Sequence, residues 1–460
     1  MKRMAKQVDF KNGGTLNNIL ATALPMMVAQ ILNLLYNIVD RIYIARIPDI
    51  GTAALGAVGL CFPVVIMVGA FTNMFGSGGA PLFSIARGQG DKETAGDYQN
   101  TSFFLLLSTG IVLTIIGEIF GKNILSLFGT SDGSMTYALP YLRIFLLGTV
   151  FSMISTGMNP FINAQGFSLV GMTTVIVGAV SNIILDPLFI FVFRFGIEGA
   201  AIATVISQAL SAIYVICFLF GERCDAKVRL LSFREAKEQA SRAVKIAGLG
   251  TAAFIMQFTN AAVQVSCNQV LSDVGGDIYI SIMTIVNSAR QMMETPILAF
   301  SEGASPVISF NYGAKRFDRI KQSILIMFLL NFGYTFLVWL VIRISPAMVI
   351  GIFSDDKTIL DDAIPAFNIY FSTFVFMTFQ HCGQVVFKSL GKKAHAIFFS
   401  LFRKIIIVVP LTYMLPYVFS RGTDGVFMAE PVSNVVGGLA CFITMLFTVR
   451  NVTVQMHSKK

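Results

Sequence analysis

Residues 79–92 read GAPLFSIARGQGDK, and residues 303–316 read GASPVISFNYGAKR. Pro81, Ser84 and Gly88 of the first stretch return as Pro306, Ser309 and Gly313 of the second, 225 positions later. The same separation carries Phe128, Pro140 and Gly166 onto Phe353, Pro365 and Gly391. After a slip of one residue, Gly199, Ala203 and Ser207 return as Gly425, Ala429 and Ser433. Glycine and proline recur by chance in any Gly-rich chain, but not repeatedly at one fixed offset. The sequence is a duplication, and the architecture follows from what is duplicated.

The 460 residues are 55% hydrophobic and only 13% charged, with mean hydropathy +0.72. A soluble domain carries about 25% charged residues, so soluble enzymes, disordered chains and collagen-like rods are excluded. An outer-membrane barrel would alternate polarity along short segments, whereas the apolar runs here are long and unbroken. A spanning helix needs about 20 mostly apolar residues. Twelve such runs lie near 17–45, 52–76, 100–120, 137–162, 169–193, 198–220, 243–271, 278–303, 320–344, 362–388, 395–418 and 425–449. The fold class is therefore an all-α polytopic membrane protein of twelve transmembrane helices in two pseudo-symmetric six-helix lobes. Six is even, so both lobes have one orientation and their pseudo-two-fold axis runs along the membrane normal, the parallel-repeat plan of many secondary transporters. The expected division is 1–220 (N-lobe), 221–242 (a charged cytoplasmic connection, GERCDAKVRLLSFREAKEQASR), 243–450 (C-lobe) and 451–460 (tail).

Loop charge orients the chain. The segments that would face one side hold four Lys/Arg at the N-terminus, two in 87–97, six in 221–242, four in 311–321, three in 388–393 and three after 449. The other side holds only Arg46, Lys122, Arg194, Arg343, Lys357 and Arg421. This positive-inside bias places both termini in the cytoplasm and accounts for the net charge of +9 without nucleic acid. The basic N-terminus precedes no cleavable signal, so the first helix is expected to remain as the insertion signal. Six scattered cysteines and three histidines form no CxxC pair or ligand cluster. No cofactor is expected, and neither a P-loop nor a nucleophile–base set suggests an enzyme; GQG at 88–90 is a turn.

A carboxylate deep in a membrane costs roughly 2.5–3.5 kcal/mol on insertion scales and is a functional candidate by default. In QILNLLYNIVDRIYIAR (30–46), Asn33, Tyr36, Asn37 and Asp40 share one helix face. In SNIILDPLF (181–189), Asn182 and Asp186 lie one turn apart. Pro187 frees the carbonyl of Ile183, and Pro25 frees that of Ala21, allowing a bend. Acids, amides and loosened carbonyls suit a proton or a hard cation such as sodium. Burial disfavours the ionised forms, and a second carboxylate disfavours double ionisation. In the alternative reading, Asp40 caps the outer helix end, paired with Arg41 or Arg46.

Pro25, Tyr36 and Asp40, the NxxxDP of 182–187, GIEGAAIATVISQ at 196–208 and METPILAFSEGASPVISFNYGA at 293–314 stand in the order of a known family. Through essentially its whole length the chain resembles the multidrug and toxic compound extrusion (MATE) transporters, in the prokaryotic branch of DNA-damage-inducible and staphylococcal-type multidrug exporters. The resemblance implies a V-shaped pair of lobes around a central cavity, and export of amphipathic, often cationic compounds by antiport against protons or sodium. It also implies a prokaryotic inner membrane as the location, with the lipid bilayer and small organic cations as partners; the chain is read as a monomer. Carried over by position, the cation-coupling set is Asp40, Asn182, Asp186 and Thr204, which would also be the metal ligands if sodium couples. Tyr36, Tyr141 and Asn159 match polar positions lining the N-lobe cavity. Gln30, Asn33, Asn37, Arg290 and Glu294 complete the candidate cavity and cargo residues.

The repeat places Val265 to Cys267 opposite Asp40, and Leu411 opposite Asp186, so the C-lobe lacks these acids and coupling is expected in the first lobe. Arg290 and Glu294, one turn apart, are read either as functional or as a satisfied helix pair; Glu430, Gln380 and His381 are the other polar groups there. Flexible Met and flat aromatic surfaces suit loosely specified apolar cations. The rival reading is a flippase or exporter of a lipid-linked or endogenous metabolite on the same scaffold. Such proteins commonly carry extra helices and a cationic cavity, whereas the clearest cavity charges here are acidic.

Overall fold

A computed structural model describes residues 7–127, 130, 132–224, 226–229, 236–353 and 357–457. Phe128, part of the 221–242 connection and the extreme termini lie outside the described residues. Every described element is helical. In the first half these are α1 (Thr15–Ala45), α2 (Gly51–Gln89), α3 (Lys92–Leu127), a segmented α4 (Asp132–Leu147, Thr149–Gly157 and Asn159–Ala164), α5 (Ser168–Pro187) and α6 (Gly196–Leu219). The second half repeats them as α7 (Ala236–Val274), α8 (Asp277–Gly313), α9 (Phe317–Ile344), a segmented α10 (Lys357–Tyr370 and Met377–Ser389), α11 (Lys393–Leu401 resuming at Val409–Tyr417) and α12 (Gly422–His457). Nine of the described helices are long and apolar enough to cross a membrane, and the bent pair Gly133–Leu147 and Thr149–Ala164 makes ten. Of the two that fall short, α8 carries Asp277, Arg290, Glu294 and Glu302 along its length, and α10 is broken into segments of 14 and 13 residues.

Several helices differ from the plain apolar runs, for identifiable reasons. The second and seventh outlast their apolar cores, α2 running on to Gln89 where Gly90 ends it at φ 83°. The fourth is bent by 52°, with Pro140 inside its first segment and Pro160 opening its last; a proline takes a donor out of the helix ladder and clashes one turn back. Immediately after Pro187, α5 loosens into a π-helical turn, Leu188–Val192, and α11 does the same over Phe402–Val408.

The backbone records the duplication more sharply than the side chains do. Ten described residues have positive φ, and all ten fall into pairs related by the repeat. They are Asp49 and Gly276, Gly90 and Lys315, Gly166 and Gly391, Arg194 and Ser420, and Gly196 and Gly422. Left-handed backbone is costly for any residue with a Cβ. Its recurrence at Asp49, Arg194, Lys315 and Ser420 therefore marks turns that the fold requires. The close approaches repeat too: a Cβ on Gly199 would lie 2.8 Å from the Phe189 backbone, and one on Gly425 would lie 2.7 Å from the Pro416 backbone.

Contacts divide the chain into two units. The first comprises residues 1–10 and 24–250, with cores around Phe83, Leu106, Phe161 and Ile246 and around Ile44, Leu125, Leu142 and Ala200. Within it Gly250 lies so close to α2 that a Cβ would fall 1.7 Å from the Met74 carbonyl oxygen. The connection after α6 is packed into this unit, with Cys224, Ala226 and Val228 buried and the Arg229 N–H donating to Asn100 Oδ1 at 2.9 Å. The second unit comprises residues 11–23 and 251–460, centred on Phe367, Phe371, Phe374 and Phe427. Within it the start of α1 packs on α8, where Thr22 Oγ1 donates to the Gly303 carbonyl at 2.6 Å. The change of unit inside α1 falls one residue before Pro25, at the carbonyls that the proline loosens. Large apolar side chains such as Ile119, Ile184, Val192 and Leu337 stay more than half exposed. That is unfavourable in water and expected against lipid.

Candidate functional site

In the first unit, α1 brings Asp40 into the interacting range of Asp186 on α5. Asn182, one turn before Asp186, donates through Nδ2 to Asp186 Oδ1 at 3.0 Å and to Thr204 Oγ1 on α6 at 3.4 Å. Asn182 and Asp186 are almost fully buried, and Asp40 is half-buried. Tyr141 on α4 is buried, and both it and Tyr36 lie within electrostatic reach of the two acids. Asp40, Asn182, Asp186, Thr204, Tyr36 and Tyr141 thus gather at one place. Asp40 forms no ion pair among the described residues, and the Arg41 guanidinium lies 5.7 Å from the centre of the Phe62 ring.

The arrangement is short of donors. Asp40 Oδ1, Asn182 Oδ1 and Asp186 Oδ2 are all buried and have no hydrogen-bond partner. Buried oxygens are nearly always satisfied, and a carboxylate without a counter-charge is costly in a membrane. Three such oxygens on one cluster of side chains make a place that a proton or a hard cation would complete, and the donor set of carboxylate, amide and hydroxyl oxygen fits either. Among the described residues, no group of three His, Cys, Asp or Glu gathers as for a tightly held transition metal.

The other predicted residues sit apart from this cluster. Asn33 and Asn37 are exposed on α1, Asn37 Nδ2 donating to the Asn33 carbonyl at 2.6 Å, and Gln30 is half-buried. Asn159 donates to the Gly171 carbonyl at 2.9 Å and to Thr174 Oγ1 at 2.8 Å, tying α4 to α5.

The second unit shows what became of the duplicate. Cys267 Sγ and Thr412 Oγ1 lie 3.9 Å apart, at the positions that the left-handed turns align with Asp40 and Asp186. The sequence placed Leu411 opposite Asp186; the register of Arg194 on Ser420 moves that counterpart to Thr412. By the same register Thr204 corresponds to Glu430. Around Glu430 stand the basic side chains of two other helices. Its Oε1 accepts Lys404 Nζ at 2.8 Å and Arg403 Nη1 at 3.3 Å, and lies 3.6 Å from Arg290 Nη1. Arg290 Nε also donates to Glu294 Oε2 at 3.3 Å, and Glu294 Oε1 faces His381 Nε2 at 3.0 Å. The helix pair Arg290–Glu294 is therefore one edge of a larger network. Arg403 and Lys404 were visible as charges inside an apolar run, but only the tertiary structure reveals their partner.

Duplicated six-helix units with unpaired buried carboxylates define a membrane transporter rather than an enzyme. The MatE family model matches residues 25–188 and 252–414, once in each half, and the chain belongs to that family of MATE transporters. It is 26% identical over 354 residues to the multidrug export protein MepA of Staphylococcus haemolyticus, covering 76% of each chain. It is 24% identical over 423 residues to MepA of Staphylococcus aureus strain NCTC 8325, covering 92% of this chain and 91% of that one. A MATE transporter solved in a bent conformation superposes with TM-score 0.91 at 23% identity, covering 98% of this chain and 99% of that one. The protein is a multi-pass membrane transporter.

Proposed function

We propose that this protein is a secondary antiporter of the cytoplasmic membrane of a prokaryote, with both termini cytoplasmic, that exports amphipathic organic compounds, cations among them, in exchange for protons or sodium. The carrying observation is the trio of buried, unpartnered oxygens on Asp40, Asn182 and Asp186. In this reading an ion arriving from outside settles among Asp40, Asn182, Asp186 and Thr204, neutralises the acids and removes the cost of burying them. α1 then bends near Pro25 and cargo leaves. Binding of cargo from inside then requires the ion to leave, so exchange needs only differential affinity between two states. The multidrug role named for the staphylococcal relatives supports the cargo class.

The test is efflux of a fluorescent cationic dye in everted vesicles, with proton and sodium gradients imposed separately. One gradient drives efflux by the wild-type protein, and Asp40→Asn loses that dependence while still inserting. Undiminished ion-driven efflux in Asp40→Asn would take the residue out of the mechanism.

A further inference from the structure

The last turns of α9 hold the only tryptophan of the chain, Trp339, and Arg343 one turn further on. Trp339 Nε1 donates to the Ser372 carbonyl at 2.9 Å, in the stretch where α10 is interrupted between Tyr370 and Met377. The Arg343 guanidinium lies 5.9 Å from the centre of the Trp339 ring. Beside this pair, within the second unit, is a cavity of about 620 Å³ lined by Arg343, Asn368, Ser372 and Thr373 together with Val432 and Val436 of α12. That volume falls in the range of sites for organic ligands, about 300–1,000 Å³. Arg343, Val432 and Val436 are exposed, as are Phe336, Leu340 and Val341 on the neighbouring turns of α9. The cavity therefore opens on an apolar surface of the kind that meets lipid, with a tryptophan and an arginine where such residues mark the headgroup level.

The duplicate of this place in the first unit is closed on itself. At the offset of 225, Arg343 and Asn368 correspond to Glu118 and Arg143, an ion pair with Arg143 Nε 3.8 Å from Glu118 Oε2. The second unit has no acid in either position. Among the described residues Arg343 forms no ion pair and the Asn368 amide makes no hydrogen bond. Thr373 corresponds to Gly148, at the break of α4, where a Cβ would lie 2.7 Å from Val205 Cγ2 on α6. The counterpart of Val205 is Pro431, and Thr373 Oγ1 donates to the Pro431 carbonyl at 3.0 Å. A side chain thus stands between α10 and α12 where the first unit has glycine, and the crevice lies along those two helices. An arginine without an ion pair, an amide with unused donors and an apolar slot beside both suit an amphiphile with an anionic head. A guanidinium fork matches phosphate oxygens in particular. A free anion would leave the slot unfilled, and an uncharged chain would leave the cation unanswered.

We infer that this crevice is a binding site for an anionic phospholipid, with the phosphate on Arg343 and Asn368 and an acyl chain between α10 and α12. The inference is independent of cargo and of the coupling ion. The single tryptophan supplies the probe. Purified full-length protein is reconstituted in vesicles of phosphatidylcholine whose acyl chains carry bromine, a quencher of tryptophan fluorescence, with unbrominated phosphatidylglycerol added in rising proportion. Recovery of Trp339 emission then measures how strongly the anionic lipid displaces the zwitterionic one beside that residue. Wild type prefers phosphatidylglycerol by about tenfold, the scale of hydrogen bonds to a charged group. Arg343→Gln brings the ratio to about one, and Arg343→Lys, which keeps the charge without the fork, falls between. Arg421→Gln removes another exposed cation of the same unit and leaves the ratio as in wild type. If Arg343→Gln does not reconstitute, Asn368→Leu decides, because it removes the second headgroup contact and should lower the ratio while leaving every charge in place. A wild type without preference, or a ratio unchanged in the deciding variant, overturns the inference. An equal loss in Arg421→Gln also overturns it, since the preference would then belong to the general charge of the surface.

Discussion

Replacing Glu430 with glutamine tests whether the second unit is held by charge balance. Glu430 is buried, and its Oε1 serves Lys404, Arg403 and Arg290 within 3.6 Å. The amide of Glu430→Gln keeps one acceptor oxygen and the same shape but removes the carboxylate that Lys404, Arg403 and Arg290 share. Removing one partner of a buried ion pair costs about 3–5 kcal/mol. For a unit of this size roughly 2–4 °C accompany each kcal/mol, so the midpoint should fall by about 6–20 °C. The cysteines supply the assay, because Cys267, Cys382 and Cys441 of the second unit are buried and unpaired. With Cys61, Cys217 and Cys224 replaced by alanine, a maleimide dye that fluoresces on reacting with thiols therefore reports the opening of this unit as temperature rises. The double variant Glu430→Gln/Lys404→Met removes the most deeply buried basic group together with its carboxylate and should recover more than half of the loss. A single variant melting within 2 °C of wild type, or a double variant no better than the single, would refute the charge-balance reasoning.

Three further outcomes follow from the same coordinates. Gly250→Ala sets a Cβ 1.7 Å from the Met74 carbonyl and Gly303→Ala sets one 2.6 Å from Ala23 Cα, whereas Gly69→Ala and Gly333→Ala meet nothing within 4 Å. The first two should lose about 1–3 kcal/mol or more and the last two should be neutral in a thermal assay of the same kind that keeps the cysteines of the unit carrying each glycine, a ranking that equal melting of all four would contradict. Thr204→Val removes the hydroxyl that Asn182 reaches at 3.4 Å; ion-driven dye efflux should drop about tenfold while Thr204→Ser stays within threefold, and equal losses in both would detach that hydroxyl from coupling. Asp91, in the turn before α3, is held below the usual carboxylate range chiefly by the Thr94 backbone N–H, which its Oδ1 accepts at 2.9 Å. A lowered value in the folded state means that the capping contribution is present above the ordinary carboxylate pKa and lost as pH falls through the lowered one. Amide exchange over 92–95, corrected for its intrinsic pH dependence, should therefore accelerate on acidification in wild type and not in Asp91→Asn, which still caps the helix.

How much of this was legible beforehand depended on whether a feature is local. The duplication was, because Gly166 and Gly391 mark left-handed turns that few other residues fill, and Pro81 and Pro306 recur at matching places inside α2 and α8. Asp40 and the Asn182–Asp186 pair stood out because acids inside apolar runs are rare, and helical spacing alone puts Asn182 beneath Asp186. The breaks in the fourth helix were less visible, since Pro140 and Pro160 lie within one long, mainly apolar run. The partners of Glu430 could not be read at all. Lys404 and Arg403 stand more than twenty residues away, and only the packing of α11 against α12 brings them together. The pairing of Asp186 with Thr412 instead of Leu411 turns on a one-residue slip that only the backbone conformation locates.

The unequal halves follow from one electrostatic constraint. For an acid to trade an ion it must lack a permanent counter-charge; otherwise the fixed cation holds it ionised and the site cannot be emptied or filled. The first unit meets that condition, since Asp40 and Asp186 form no ion pair among the described residues and Asp186 is contacted by the neutral amide of Asn182. Carboxylates at Cys267 and Thr412 would instead stand among the fixed charges of Glu430, Lys404 and Arg290, all of which act on Cys267. The same duplicated backbone thus provides one place whose acids lack an ion-pair partner and another whose carboxylate, Glu430, is held by three basic side chains.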